Sequence, residues 1–361
     1  MREITVPLPG RDTSYRILIG PGLGSRLGEW LPPLDLNQRL FLITDRRVGR
    51  LYGARVQKTL EDAGFSPTLL TIPPGERSKS WPVVQRLARA LLARGAHRRT
   101  PFIALGGGVV GDLTGFLASI FMRGVPFLQV PTTLLAMVDA AIGGKTAINL
   151  REGKNLLGTF HQPRLVVIDP EFLQTLPRAE RLNGLAEVLK TAFIRDAAFL
   201  ELLAEARPRL FTDGEALTEV IYRAAAIKAE VVAADEREGD LRRILNFGHT
   251  LGHALEQASG FRLPHGLAVA WGMDAALSLS EKLAGLAPVE ARRGRQILRD
   301  FGLCRSFPAL DRQAILNALP MDKKRQGADL VFVLLKRLGE AVIHPNVPLP
   351  LIAQCLEGVA A

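Results

Sequence analysis

The chain has 361 residues, room for two domains of ordinary size, and its composition (47% hydrophobic, 23% charged) is that of a globular protein. No apolar run reaches the roughly 20 residues of a membrane helix, and MREITVPLPGRD has no apolar signal core, so a cytoplasmic protein without membrane partners is expected. The net charge of +10 would suit nucleic acid, a membrane surface or small anions, but three Tyr, three Trp and no zinc-finger or RNP-type motif disfavour nucleic acid. A solvated Arg-rich surface explains the charge equally well. Cys304 and Cys355 have neither metal-type spacing nor the pattern of a disulfide framework.

In chain order, LFLIT (40–44), TLLTI (68–72), PFIAL (101–105), FLQV (127–130) and LVVID (165–169) read as strands. Helical periodicity covers 48–64 and 78–95, with Ser78 and Ser80 as candidate caps of the second helix. Such alternation predicts a Rossmann-like parallel sheet covered by helices. Beyond about residue 177 the pattern turns helical, over 179–206, 215–235, 247–258, 266–284 and 289–301, and a strand signal returns only at VFVLL (331–335). The expected fold is an α/β N-terminal domain, residues 1–176, followed by a mostly α-helical C-terminal domain, residues 177–361.

PFIALGGGVVGDLTGF (101–116) reads as strand, glycine turn and helix, and Gly106, Gly108 and Gly111 satisfy G-x-G-x-x-G. Glycines let phosphate oxygens approach the backbone, and a helix N-terminus offers unpaired N–H groups. No acidic residue follows about 20 positions on to hold a ribose, so a tight turn without a ligand stays as the alternative. PTTLLAMVDAAIGGKTAIN (131–149) and GKNLLGTFHQP (153–163) each set a lysine beside glycine, at Gly144-Lys145 and Gly153-Lys154-Asn155. Asp139 stands where a P-loop needs its first glycine, which argues against Mg-nucleotide hydrolysis. Lysines on glycine-shaped loops still suit a phosphate or carboxylate.

Three of the six histidines fall between 249 and 265. One carboxylate with two imidazoles is a common protein contribution to a catalytic divalent ion. Glu187 and Lys190 share a helix face, ordinarily the mark of a surface ion pair. His249 and His253, four apart, share another, while His265 follows a helix break at 260–264. Spacing alone favours His249 and His253 as the paired ligands, as in helical zinc sites, with buried structural histidines as the alternative. His97, His161 and His344 stand apart and are given no metal role.

Taken in order, GGGVVGD, RGVPFLQVPTTLLAMVDAAIGGKTAIN, GKNLLGTFHQP, GLAEVLK, LNFGHTLGHALE and LPHGLAVAWGM resemble the 3-dehydroquinate synthase family of the sugar-phosphate cyclase group, from about residue 40 to 335. The resemblance implies a divalent metal, Zn or Co, on Glu187, His249 and His265, which moves His253 from the metal to the substrate phosphate. It implies NAD on Asp45, Glu76, Lys79, Gly107, Gly108, Val109, Asp112, Thr132, Thr133, Phe172 and Thr175, with Lys154 near both ligands. Asp139, Lys145, Asn155, Lys190, Lys228, Arg242, Asn246 and the Lys323-Lys324 pair align with substrate contacts. Arg123 aligns with a phosphate contact that the other subunit of a homodimer contributes. Lys145, Lys190, His253 and Asn155 are the residues expected in catalysis.

The substrate implied is DAHP, a seven-carbon phosphate with a carboxylate, on the shikimate route to aromatic amino acids. NAD would oxidise its C5 hydroxyl, phosphate would leave, the ketone would be reduced again, and the ring would open and reclose by an aldol step. NAD returns unchanged each cycle, and the metal acts as a Lewis acid. One position departs from the family pattern: where members usually carry Asn two residues past the Asp of TD, this chain has Arg47. A basic side chain near a ribose could favour a 2′-phosphate; NAD binding is still expected, because the rest of the pattern is intact. The rival readings are a related cyclase acting on a neutral sugar phosphate, a metal-dependent glycerol or alcohol dehydrogenase, and a catalytically silent phosphate-binding module. Retention of Lys228, Arg242 and Asn246 favours the carboxylate-bearing substrate.

Overall fold

Short runs of β-branched, aromatic and leucine side chains, apolar on both faces, can persist as strands only inside a sheet covered on both sides. The computed structural model, which describes the backbone of residues 1–8, 14–323 and 330–360, contains such a sheet. Its seven strands run in the order β1 (Arg2–Val6), β2 (Tyr15–Ile19), β9 (Leu165–Ile168), β6 (Phe127–Pro131), β5 (Phe102–Gly106), β3 (Arg39–Asp45), β4 (Ser66–Ile72). All neighbours pair in parallel except β1 with β2. The inner strands β5, β6 and β9 are buried along their whole length, whereas the edge strand β4 is only partly covered. Phe41, Phe102, Phe127, Leu113 and Phe116 belong to the core beneath the helices.

The strand order places the site. From β3 the chain steps to β4 on one side, then returns to lay β5 on the other, so direction reverses between β3 and β5. Ligands of open α/β sheets bind outside the carboxyl ends of the strands at such a reversal. Asp45 and Gly106 are the last residues of β3 and β5.

By its internal contacts the chain divides into two compact units, Met1–Leu176 with Phe211–Arg237, and Pro177–Leu210 with Glu238–Ala361. The expected division at 176/177 therefore does not hold for residues 211–237. Helix Gly214–Ala234 buries Leu217, Val220, Ile221, Ala224 and Val231, and its Lys228 Nζ donates to Asp139 Oδ1 at 2.6 Å within the first unit. Helical periodicity reports that such a face is apolar but not which core receives it.

The first unit also holds a hairpin, β7 (Lys145–Leu150) and β8 (Gly153–Phe160), in what the sequence presents as two glycine loops. Ser80 occupies the N-cap of helix Trp81–Ala93 but makes no side-chain cap, and Ser78 Oγ donates instead to the Pro73 carbonyl at 2.6 Å. The second unit is mostly helical, with one hairpin, β10 (Phe332–Arg337) and β11 (Glu340–His344). The expected helix over 179–206 is two, Arg178–Arg195 and Ala197–Ala206. They are divided by Asp196, which turns extended and accepts from Phe199 N to cap the second. Cys304 and Cys355 are buried and unbridged. Among the described residues no helix is long and apolar enough to cross a membrane.

Candidate active site

In the first unit, Gly107 caps helix Gly108–Ile120 without a side-chain bond, and Gly107, Gly108 and Val109 at that helix start are half-buried. A Cβ on Gly107 would lie 3.0 Å from Thr133 Cγ2, tighter than an ordinary contact. Thr132 N bonds the Gly106 carbonyl and Thr133 Oγ1 accepts from Ala136 N, which fixes the next strand end beside the turn. Asp45 is retained at the end of β3, where its Oδ1 accepts from Arg47 N and Val48 N at 2.7 and 3.0 Å, and Arg47 itself is exposed. Phe172 packs edge-on against Tyr52, whose hydroxyl meets Thr175 Oγ1 at 2.6 Å. A cavity of about 110 Å³ lined by Gly24, Tyr52, Arg55, Phe172 and Thr175 is smaller than the roughly 300 Å³ of a small-ligand pocket, so it would take only part of a dinucleotide.

Several expected residues join in one network. Buried Lys79 donates to Asp112 Oδ2 and to Asn155 Oδ1. Asn155, at φ 58, donates its backbone N–H to Asn149 Oδ1 at 2.9 Å, and Asn149 Nδ2 donates to Glu76 Oε1 at 2.7 Å. Asn149 sits where the β7–β8 register shifts, so its side chain is free to turn from the ladder toward these groups. Burial raises the Asp112 carboxyl above the ordinary carboxylate range, with Lys79 opposing the shift. Asp139 lies on a π-helical turn, Ala136–Ala140, paired with Lys228. Lys145 opens β7 from a turn that Tyr15 holds by accepting from Gly143 N at 3.0 Å. Lys154 is half-buried on β8. Arg123 is exposed and, like Met122 before it, has positive φ (70° and 48°).

In the second unit, Glu187 and Lys190 lie on the buried stretch of helix Arg178–Arg195, at 0% and 2% exposure, and Lys190 Nζ meets Glu187 Oε2. This is an interior pair and not the surface pair that i,i+3 spacing usually means. His249 and His265 are each the first residue of a helix, His249–Ala258 and His265–Leu283. Glycines let helix His265–Leu283 approach both its neighbours: a Cβ on Gly272 would lie 1.8 Å from the Gly248 carbonyl oxygen, and one on Gly266 would lie 2.0 Å from that of Asn183 on helix Arg178–Arg195. The close packing carries two residues sixteen apart in sequence to a ring-centroid distance of 5.3 Å.

His249 Nε2 stands 3.6 Å and His265 Nε2 3.4 Å from the same oxygen, Glu187 Oε1. One ligand atom from each of Glu187, His249 and His265 falls within a 4.8 Å group. Neither Glu187 oxygen has a well-aligned hydrogen bond, although the side chain is fully buried. Lys190 answers Oε2, whereas Oε1 faces both imidazole Nε2 atoms, and carboxylate with imidazole is the donor set of zinc and its neighbours. The residues therefore fit a divalent metal. Burial alone would raise the Glu187 carboxyl, but Lys190, His249 and His265 hold it well below the ordinary range. Burial and Lys190 push His249 down to about 3, leaving it neutral with a lone pair to offer. Burial would also lower His265, but the Glu187 and Glu256 carboxylates outweigh it and raise it to about 10.

His253 is exposed, one turn along from His249, its ring 5.4 Å from that of His249 and 6.2 Å from that of His265. It joins a second close group, with Glu256 and His265. Arg242 is buried, and Asn246 donates to Glu238 Oε1 at 3.0 Å. Lys324 and the side chain of Lys323 lie outside the described residues. The sequence reading missed Asn149 and Glu256. Glu256 is seven residues past His249 and three past His253, a helical spacing that marks it in retrospect; Asn149 carries no signal until the hairpin register is known.

Residues 69–183 match the profile described as 3-dehydroquinate synthase N-terminal, and 184–325 that described as 3-dehydroquinate synthase C-terminal. The chain is 44% identical to the 3-dehydroquinate synthase of Synechococcus sp., covering 99% of each. The chain belongs to the 3-dehydroquinate synthase family. A second member, from Rhodospirillum rubrum, is 45% identical over 94% of this chain and 90% of its own. Among solved structures, 2-epi-5-epi-valiolone synthase from Streptomyces hygroscopicus subsp. jinggangensis, with NAD+ and Zn2+ bound, superposes at a TM-score of 0.88 with 33% identity, covering 97% of this chain and 98% of its own. A 2-deoxy-scyllo-inosose synthase complexed with carbaglucose-6-phosphate, NAD+ and Co2+ superposes at 0.89 with 25% identity, covering 99% of each. Glycerol dehydrogenase from Schizosaccharomyces pombe, at 16% identity and 0.69, covering 95% of this chain and 88% of its own, shares the fold alone.

Proposed function

We propose that the chain catalyses the 3-dehydroquinate synthase reaction, converting DAHP to 3-dehydroquinate and inorganic phosphate on the shikimate route. The observation that carries this reading beyond family membership is the group Glu187, His249 and His265, whose donor atoms all lie within 4.8 Å of one another, the donor set of a Lewis-acid metal. Lys190 and Lys228, buried and paired with Glu187 and Asp139, and buried Arg242 are cations suited to a substrate that bears phosphate and carboxylate.

When bound, NAD supplies a hydride acceptor that is restored in each turnover, and a divalent metal on Glu187, His249 and His265 supplies a Lewis acid toward the substrate oxygens. The rest is work for the chain's own side chains. The glycine turn at Gly107–Val109 offers backbone N–H groups to the nucleotide pyrophosphate. Lys79, fixed between Asp112 and Asn155, holds the β7–β8 hairpin so that Lys145, Lys154 and Asn155 keep a set position. Lys145, Arg242 and His253 bind phosphate and carboxylate by charge-assisted hydrogen bonds, and Lys190 stabilises charge that develops on the carbonyl oxygen. Asp45, Glu76, Thr132, Thr133, Phe172 and Thr175 bind the nucleotide, and Asp139, Lys228 and Asn246 hold the substrate hydroxyls. The leaving phosphate dianion takes the neighbouring C–H proton, so no protein base is required for the elimination.

The same proposal includes a homodimer in the cytoplasm, with Arg123 reaching the other subunit's substrate. Exposed Ile120 and Met122, and Leu157 and Phe160 on β8, give it an apolar surface to bury. The test is turnover of DAHP with metal and catalytic NAD. Phosphate release without net NADH supports the proposal. No phosphate from DAHP overturns it, and steady NADH accumulation points to a dehydrogenase.

A further inference from the structure

His249 and His265 are held by their far nitrogens in the same way. His249 Nδ1 lies 3.2 Å from the Phe247 carbonyl oxygen, and His265 Nδ1 lies 3.0 Å from Glu256 Oε2. A carbonyl oxygen can only accept, and an ionised carboxylate likewise, so each ring carries a proton on Nδ1 and turns Nε2, the nitrogen left for a metal, toward Glu187 Oε1. His249 obtains its acceptor from the backbone two residues before it. His265, the first residue of its helix, has a side chain for that purpose: Glu256, 4% exposed, from the neighbouring helix His249–Ala258.

We infer that Glu256 is a positioning residue, which holds His265 in the tautomer and rotation that aim Nε2 at Glu187 and so sets the geometry in which the three ligands take a divalent cation. The inference rests on the ligand set proposed above. Burying a carboxylate is costly unless it is hydrogen-bonded, and the bond to His265 Nδ1 gives Glu256 such a contact. Partners of this kind on metal-bound histidines fix ring orientation and raise ligand basicity, and their loss typically costs about 10–100-fold in metal affinity. Glu256 also falls with His253 and His265 in the second close group, so its serving as a direct ligand is the alternative to exclude.

The experiment uses the full chain, stripped of metal and titrated with Co2+ and Zn2+ separately. Glu256→Ala is expected to weaken both ions by about 10–100-fold and to change the visible Co2+ spectrum. Glu256→Gln, whose amide oxygen still accepts from Nδ1, is expected to recover most of the affinity and the wild-type spectrum. Should Glu256→Ala not fold, 15N NMR of the Zn2+-loaded wild type decides, with Nδ1 of His265 protonated and Nε2 bound. The inference is overturned by a Glu256→Ala protein that matches wild type in both readouts, by Glu256→Gln being as impaired as Ala, or by Nδ1 bound to metal. Wild type binding neither ion would instead overturn the ligand set itself, and the inference with it.

Discussion

The nucleotide side of the first unit and the histidine cluster of the second treat buried charge in opposite ways. Around Lys79 every charge has a partner within the protein: Asp112 and Asn155 take its ammonium, and Asn149 ties Asn155 to Glu76. Around Glu187 both imidazole Nε2 atoms converge on one carboxylate oxygen at distances too long for good hydrogen bonds. The first arrangement is complete in the protein alone and gives shape. The second has one internal cation, Lys190 at Glu187 Oε2, and leaves Oε1 and two imidazoles as a donor set that a divalent ion would complete.

Breaking a member of the cluster should therefore have the largest effect. Glu187→Ala is expected to lower metal affinity by more than about 100-fold, beyond what loss of an outer-shell partner produces. Metal analysis after gel filtration checks it, and wild-type metal content in the variant would show that the ligand set is wrong. Lys79→Met should act on stability and not on metal, by about 1–3 kcal/mol, since it leaves the largely buried Asp112 carboxylate without its ammonium partner. Asp112 already has a raised pKa, and losing Lys79 raises it further. A folded pKa above the unfolded one means stability falls as pH rises from the ordinary carboxylate range through the folded value. Thermal melts of Lys79→Met should therefore worsen with rising pH more than those of wild type, and Asp112→Asn should suppress the difference.

The cluster could be read from the sequence only in part. Residue types at 187, 249 and 265 advertise a metal, yet helix geometry points to His253, since sequence spacing sees a single helix. His265 arrives from another helix because Gly248, Gly266 and Gly272 let backbones approach, and no period records that. The parallel strands were legible because runs such as FIAL are apolar on both faces. Residues 211–237 were not, because an amphipathic helix does not name the core it joins. The hairpin at 145–160 hid behind its glycines, and Asn149 with it.

A smaller effect sharpens the same contrast. His265 is raised to about 10 without metal, so it is protonated across the neutral range, and metal must displace that proton. Calorimetry in buffers of different ionisation enthalpy should show release of about one proton per metal near neutrality, with apparent affinity rising as pH increases toward 10. In the metal-free protein the raised pKa contributes stability that is complete below the ordinary His value and is lost as pH climbs through about 10. No proton release would mean the His265–Glu187 contact does not form. The smallest effect is expected at exposed Arg47: with Asp45 retained, NAD+ should bind at least as tightly as NADP+, and Arg47→Asn should leave NAD+ affinity nearly unchanged. A wild-type titration much tighter for NADP+ would break that expectation.

The central claim is that the metal takes its imidazoles from His249 and His265, and not from His253. X-ray absorption of the Zn2+-loaded enzyme counts bound imidazoles directly. The arrangement described here predicts two, still two in His253→Ala and one in His265→Ala; a third imidazole, or a count that falls with His253 and not with His265, would contradict it.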